Sequence, residues 1–277
     1  MYRGNRNGVS FHHLRASRYF AQVVQEALKQ QNEAIEHEDR QLGQLLLEIY
    51  AYCDLSSGIR LLPDFEDMKA VYQSQVLQLE TLKEFETAGA NFGCTWELYK
   101  LVPRICWLVR QRKEELAQGE DLGCSATHSN LKCTIDLWRS TIKAPTIAIN
   151  HYQDGCLAAG LLSCSAITLF LHTAYYCDDQ SYLRAVAQPL VDEAIELVSI
   201  CSSTPWSPFA YWPTVVIASF ATTAAQQISL QNMLSYDMHI VRRAKELLSW
   251  VWDVSDEVYG LNGLAQVIKE RNTSWCC

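Results

Sequence analysis

The sequence lacks the short motifs that mark common cofactors or hydrolytic nucleophiles. It has no G-x-x-x-x-G-K-[ST] phosphate loop, no G-x-G-x-x-G dinucleotide fingerprint and no G-x-S-x-G nucleophile turn. None of its 11 cysteines is spaced C-x2-C, and its 7 histidines show no H-x-x-x-H pattern. We therefore predict a protein that holds neither a metal ion nor an organic cofactor.

Positive charge is also scarce. The chain has 23 Lys and Arg residues against 31 Asp and Glu residues, which gives a formal net charge of -8. Affinity for nucleic acid comes mainly from Lys and Arg that neutralise phosphates, so we predict no direct binding to DNA or RNA. The polar N-terminus has no signal-peptide pattern, and most cysteines lie in apolar stretches. These features predict free thiols and a cytoplasmic or nuclear location.

Two long stretches, 157–176 and 197–236, contain no Asp, Glu, Lys or Arg. A membrane helix needs about 20 predominantly apolar residues, so both stretches test whether the chain spans a membrane. The first is interrupted by Ser, Thr and His residues, and the second by three prolines. We therefore predict that both form central helices of a globular core and that the chain has no membrane span.

Apolar residues recur at spacings of three and four along most of the chain, and no run alternates as a strand would. The pattern predicts an all-α fold in which nine or ten helices pack around a buried apolar core, as a single domain over 1–277. We expect a loop at 118–130 and one continuous helix over 211–230. The tail, 272–277, is predicted to be disordered.

The second half of the chain carries an ordered set of familiar features. Leu171-His172-Thr173 precedes a polar break, and Trp212-Pro213 then opens an apolar helix. This arrangement resembles the regulatory domain of fungal-specific zinc-cluster transcription factors, although Thr173 stands where a basic residue is usual. The resemblance extends over most of 11–271.

The resemblance implies an all-helical fold with a hydrophobic interior site. The six-cysteine, two-zinc DNA-binding module of that family has no counterpart in the spacing of these cysteines. The chain also begins after the first one or two regulatory helices of the family, as we interpret it. The resemblance therefore implies a regulatory fold but not DNA binding.

The candidate catalytic residues are His172, Tyr175 and Tyr176, which lie near the end of a charge-free helix. An imidazole there has the chemistry of a proton donor in an apolar cavity. The alternative is a core histidine bonded to a backbone carbonyl. Asp178 and Asp179 follow directly, either as an acid–base pair or as the cap of the next helix.

The candidate ligand-binding residues are rigid aromatics between prolines, with one histidine that we expect in a loop. They are Trp206, Phe209, Tyr211, Trp212 and His151. We predict that they surround the mouth of an apolar pocket lined by the helices near 157–176 and 211–230. The alternative is ordinary packing at the start of a helix.

Three functions stay open. The first is a regulatory protein that binds a hydrophobic small molecule, linked to terpenoid or polyketide biosynthesis, alone, as a homodimer or with a partner protein. The second is a cofactor-independent enzyme on the same scaffold, a cyclase, isomerase or [4+2] pericyclase. The third is a truncated product without independent activity. The terminal Cys276-Cys277 also resembles a geranylgeranylation signal, although nothing else here resembles a GTPase.

Overall fold

The computed structural model describes residues 19–28, 37–57, 80–142, 151–234, 239–253 and 258–271. Of these residues 81% are helical and none forms a strand, which confirms the all-α prediction. The predicted disordered tail and the Cys276-Cys277 pair lie outside the described residues.

The helices are labelled in chain order. They are α1 (19–28), α2 (His37–Ser57), α3 (Trp96–Tyr99), α4 (Val102–Gln118), α5 (Cys124–Ile142), α6 (His151–Tyr175), α7 (Gln180–Ser202), α8 (Tyr211–Ala218), α9 (Ala224–Met233), α10 (His239–Trp252) and α11 (Leu261–Glu270). A single 3-10 turn, Ser207–Ala210, separates α7 from α8.

The predicted loop at 118–130 is wrong in extent, because α5 already begins at Cys124. The first backbone N–H groups of a helix have no partner within it. A carboxylate oxygen of Glu115 accepts hydrogen bonds from the N–H groups of Leu122 (3.1 Å) and Cys124 (3.3 Å). This contact from α4 stabilises the start of α5, so the small polar residues after Cys124 join the helix.

The predicted continuous helix over 211–230 is also wrong, because it divides into α8 and α9. Thr223 and Gln226 form a reciprocal capping box at the start of α9. The Gln226 amide also donates to Asp192 of α7 at 2.7 Å. A local cap and a tertiary contact therefore both favour a new helix start after α8.

Helix α6 lies at the centre of the fold. It packs against α4, α5, α7 and α8, and its contact with α7 is the most extensive. Within it, Gln153–Tyr175 is long and apolar enough to cross a membrane by length and composition, with a mean hydropathy of 1.7 in its most apolar window. Of that window 83% is buried inside the fold, as in the core helix of a globular protein.

Most of the Ser and Thr hydroxyl groups on α6 are satisfied within the helix, while that of Ser165 accepts a hydrogen bond from Arg139 of α5. Ser163 donates to the carbonyl of Ala159 at 3.0 Å, and Thr173 donates to that of Leu169 at 2.8 Å. A buried hydroxyl with such a partner avoids most of the cost of leaving water. The scattered Ser and Thr residues are therefore compatible with a fully packed core helix.

Candidate functional site

Near the N-terminal part of α6 there is a small gap among aromatic side chains, and we name it the aromatic cavity. Its walls come from α2, the segment before α3, α6 and the 3-10 turn. The lining residues are Tyr52, Asn91, Phe92, Gly93, Thr95, Tyr99, Cys156, Ala159, Gly160, Ser163, Trp206 and Phe209. The free volume is about 10 Å³, room for about one water molecule.

The rings around the cavity form a continuous network of edge and tilted contacts. The Tyr52 ring centroid lies 5.7 Å from that of Phe92, 5.5 Å from that of Tyr99 and 5.8 Å from that of Phe209. The ring centroids of Trp206 and Phe209 are 5.5 Å apart. These distances are typical of favourable aromatic pairs. The Tyr52 hydroxyl also donates to the carbonyl of Phe209 at 3.0 Å, which joins α2 to the 3-10 turn.

One wall is held in place by Glu48 on α2. Its carboxylate accepts hydrogen bonds from the backbone N–H groups of Asn91 (2.7 Å) and Phe92 (3.1 Å). The carboxyl is almost fully buried, and burial raises its pKa above the usual value. Glu48 thereby fixes the position of two residues that line the cavity.

Asn91 contributes an unpaired polar atom to the cavity wall. The residue is 8% exposed, and its side-chain nitrogen Nδ2 is buried with no hydrogen-bond partner among the residues that the structure describes. A buried amide donor left unpaired is costly. Asn91 therefore offers a hydrogen bond to whatever acceptor enters the gap.

The structure separates the predicted ligand-binding residues. Trp206 and Phe209 line the aromatic cavity. Trp212 is buried behind it and donates to the hydroxyl of Tyr99, while Tyr211 is half-buried against the core. The predicted loop position of His151 is wrong, because this residue begins α6; its side chain lies outside the described residues. No residue of 211–230 is among the lining residues.

The candidate catalytic residues lie in a second group, the histidine cluster, which consists of His128, His172, Tyr175, Tyr176 and Tyr182. His128 stacks on Tyr175 with ring centroids 4.6 Å apart and lies 5.4 Å from His172. The ring centroids of Tyr176 and Tyr182 are 4.0 Å apart. The cluster joins α5, the end of α6 and the start of α7.

His172 is a buried, neutral imidazole. It is 3% exposed, and burial lowers its pKa to about 4. The hydroxyl of Tyr182 lies 3.4 Å from its Nδ1, and burial raises the pKa of that phenol to about 12. At neutral pH His172 therefore carries no charge, and its described polar partner is a tyrosine hydroxyl rather than a backbone carbonyl.

Asp179 is a helix cap. Its carboxylate accepts a hydrogen bond from the backbone N–H of Tyr182 at 2.9 Å, at the start of α7. This confirms the capping interpretation of Asp179. Asp178 instead lines an open cleft of about 720 Å³, together with Lys113, Leu116, Ala117, Cys177, Gln180, Val258 and Asn262.

The aromatic cavity and the histidine cluster are separate places on one helix. Ser163 lines the first and His172 belongs to the second. Nine residues of α-helix between them correspond to about 14 Å at 1.5 Å per residue. The structure therefore does not bring His172 to the rings that the sequence suggested as a pocket mouth.

Several residues of both groups were not predicted. His128 lies within 118–130, which the sequence predicts to be a loop. Asn91 lies in a segment without helical periodicity. Tyr52, Tyr99 and Tyr182 carry no sequence signal beyond helical spacing. Only tertiary packing reveals them: α2 packs on Tyr99 and Phe209 through Tyr52, and α5 and α7 pack on α6.

The comparison with family models decides the relationship of the chain. The model of the fungal specific transcription factor domain matches residues 2–276. The chain belongs to this family. The resemblance seen in Leu171-His172-Thr173 and Trp212-Pro213 is thereby confirmed. No curated protein and no solved structure matches the chain.

Proposed function

We propose that this chain is a regulatory domain that binds a mostly apolar small molecule in the aromatic cavity. The unpaired amide donor of Asn91 in an aromatic wall carries the proposal. Binding sites for small molecules combine apolar and aromatic linings with a few placed polar groups. The chemistry predicts a ligand with a ring or polyene body and one hydrogen-bond acceptor, such as a carbonyl oxygen.

The described state of the cavity is closed. A volume of about 10 Å³ is far below the roughly 300–1,000 Å³ of ligand sites. The cavity must therefore widen for a ligand to enter, and we propose that Trp206 and Phe209 move outward to widen it. Phe209 lies in the 3-10 turn between α7 and α8 and is half-buried, and Trp206 directly precedes this turn. A single 3-10 turn has fewer stabilising hydrogen bonds than the helices that flank it.

The family membership supports a role in transcription regulation, and the apolar character of the cavity supports a terpenoid-like or polyketide-like ligand. The net charge of -8 supports a chain that makes no DNA contact of its own. We place its action in the nucleus or cytoplasm, together with a partner protein or a second copy. A gel shift at physiological salt with sub-micromolar affinity would contradict the DNA part of this proposal.

The enzyme alternative receives no comparable support. Neither the aromatic cavity nor the open cleft is lined by His172. A proton donor must lie within hydrogen-bond reach of its substrate, directly or through one water. The histidine cluster, as described, offers interior packing rather than a reaction chamber, so the regulatory function is the one we propose.

The test is equilibrium dialysis of the whole chain with two probes that differ in one group. Farnesal carries a carbonyl oxygen, and farnesene is a hydrocarbon of similar shape. We expect farnesal to bind more tightly, by about tenfold for a hydrogen bond of about 1.4 kcal/mol. The Asn91→Leu variant should remove that difference, whereas Asn130→Leu, on the exposed surface of α5, should preserve it.

Two outcomes would contradict the proposal. One is the absence of saturable binding of either probe, together with no apolar compound in a mass-spectrometric extract of the purified protein. The other is an unchanged preference for farnesal in the Asn91→Leu variant, provided that its circular dichroism spectrum matches that of the parent chain.

A further inference from the structure

Two cysteines meet at the edge of the aromatic cavity. Cys94 lies just before α3 and Cys156 lies near the start of α6, and both are partly exposed. The Cys94 thiol donates to the backbone carbonyl of Cys156 at 3.8 Å, and the interaction between the two thiols shifts the pKa values of both. Residues 62 positions apart in sequence are thus in direct contact.

The backbone around the pair is shaped to admit both sulfur atoms. A Cβ atom on Gly160, one turn after Cys156, would lie 2.6 Å from the sulfur of Cys94. A Cβ atom on Gly93 would lie 3.2 Å from the sulfur of Cys156. A side chain at position 160 would therefore displace the Cys94 sulfur. Glycine at these positions allows each sulfur to lie against the chain segment that carries the other.

We propose that Cys94 and Cys156 form a redox-active dithiol, which closes to a disulfide by exchange with a low-molecular-weight disulfide such as oxidised glutathione. In a reducing compartment such bonds are typically transient and sensory. Closure would covalently tie the segment that carries Asn91 and Phe92 to α6, beside the aromatic cavity.

The exchange balances as two successive displacements. The Cys156 thiolate attacks one sulfur of glutathione disulfide, which forms a mixed disulfide and releases one glutathione thiolate. Cys94 then attacks the Cys156 sulfur, which forms the Cys94–Cys156 bond and releases the second glutathione. The two cysteines lose two electrons, glutathione disulfide gains them, and the two thiol protons end on the two glutathione molecules.

The two thiols are suited to these different roles. The hydrogen bond from Cys94 lowers the pKa of Cys156 to about 7, so Cys156 is the attacking thiolate near neutral pH. The same hydrogen bond, with burial, raises the pKa of Cys94. Cys94 therefore keeps its proton until the mixed disulfide forms and then acts as the resolving thiol.

The nearest competitor is Cys201 on α7. It is buried, and its thiol donates to the carbonyl of Gly155 at 3.9 Å, next to Cys156. Burial raises the pKa of Cys201 to about 11, so it supplies little thiolate near neutral pH. Cys53 and Cys133 are exposed and serve as surface references.

The test treats the whole chain with glutathione disulfide at pH 7.5, blocks remaining thiols with iodoacetamide and maps the peptides by mass spectrometry. We expect a linked Cys94–Cys156 peptide, reversed by dithiothreitol. In Cys94→Ser the resolving thiol is absent, so glutathione should remain on Cys156. The double variant Cys53→Ser/Cys133→Ser should still form the Cys94–Cys156 disulfide.

The rate of closure gives a second measurement. It should fall about fivefold from pH 7 to pH 6, as the thiolate fraction of Cys156 falls. A Cys156–Cys201 link, or glutathione confined to Cys53 and Cys133 while Cys94 and Cys156 stay alkylated, would overturn the proposal. Because closure needs no bound ligand, failure of the farnesal experiment leaves this test unaffected.

Discussion

The indole nitrogen of Trp212 donates to the hydroxyl oxygen of Tyr99 at 2.5 Å, and both side chains are buried. The contact joins α8 to α3 across a sequence separation of 113 residues. The ring centroids lie 5.7 Å apart in an edge-on arrangement. At the wall of the aromatic cavity, therefore, this polar bond helps to connect the two halves of the chain, together with that between Tyr52 and Phe209.

Removal of this bond should destabilise the fold. In Tyr99→Phe the buried indole N–H loses its acceptor, so we expect the free energy of unfolding to fall by about 1–3 kcal/mol. Trp212→Phe should cost at least as much, because it also removes ring volume. In urea denaturation the double variant should be less destabilised than the sum of the two, by about 1 kcal/mol. Strict additivity would show that the bond contributes nothing.

Stability should depend on pH through His172. Its pKa is about 4 in the folded chain against 6.5 for a free imidazole. Below pH 6.5 the unfolded chain therefore binds a proton that the folded chain does not bind until pH approaches 4. Stability should fall as pH falls across this window, by on the order of 3 kcal/mol, and should be constant above it with respect to this group.

The measurement is urea denaturation of the parent chain and of His172→Phe between pH 4 and pH 7.5. Other groups titrate in both proteins, so the difference between the two curves isolates His172. The burial of His128, which lowers its pKa, adds a change of the same sign to both proteins. Parallel curves would show that His172 is not the origin of the dependence.

The cap of α7 provides a matched pair of neighbouring aspartates. Asp179→Ala removes the acceptor of the Tyr182 N–H, so it should lower the free energy of unfolding by about 1 kcal/mol. Asp178→Ala, at an exposed position, should change it by less than about 0.5 kcal/mol. Thermal denaturation of both variants shows which substitution destabilises the fold more. Equal effects would contradict the assignment of the cap to Asp179.

Glu48 should be more sensitive to truncation than to neutralisation. Glu48→Ala leaves the N–H groups of Asn91 and Phe92 without their buried acceptor, so we expect a loss of about 2–3 kcal/mol. Glu48→Gln keeps an acceptor oxygen and removes a charge that burial disfavours, so it should stay within about 1 kcal/mol of the parent. A greater loss in Glu48→Gln than in Glu48→Ala would show that the charge itself is required.

The amino-acid sequence by itself determined the all-helical class, the family and the central position of α6. These depend on local periodicity and on a charge-free run that is stable only when buried. The capping role of Asp179 was also readable, because it depends on a residue type at a helix start. The inclusion of 124–130 in α5 could not be predicted from the sequence, because the start of α5 is stabilised by Glu115, which lies on another helix.

Only the tertiary structure decided the composition of the candidate sites. The aromatic cavity combines Tyr52, Asn91 and Trp206 from distant parts of the chain, and the histidine cluster adds His128 and Tyr182 to His172. Cys94 and Cys156 likewise meet only because α3 packs on α6. Helical spacing predicts which face of one helix is buried, but side chains on different helices become neighbours through packing, which no local pattern encodes.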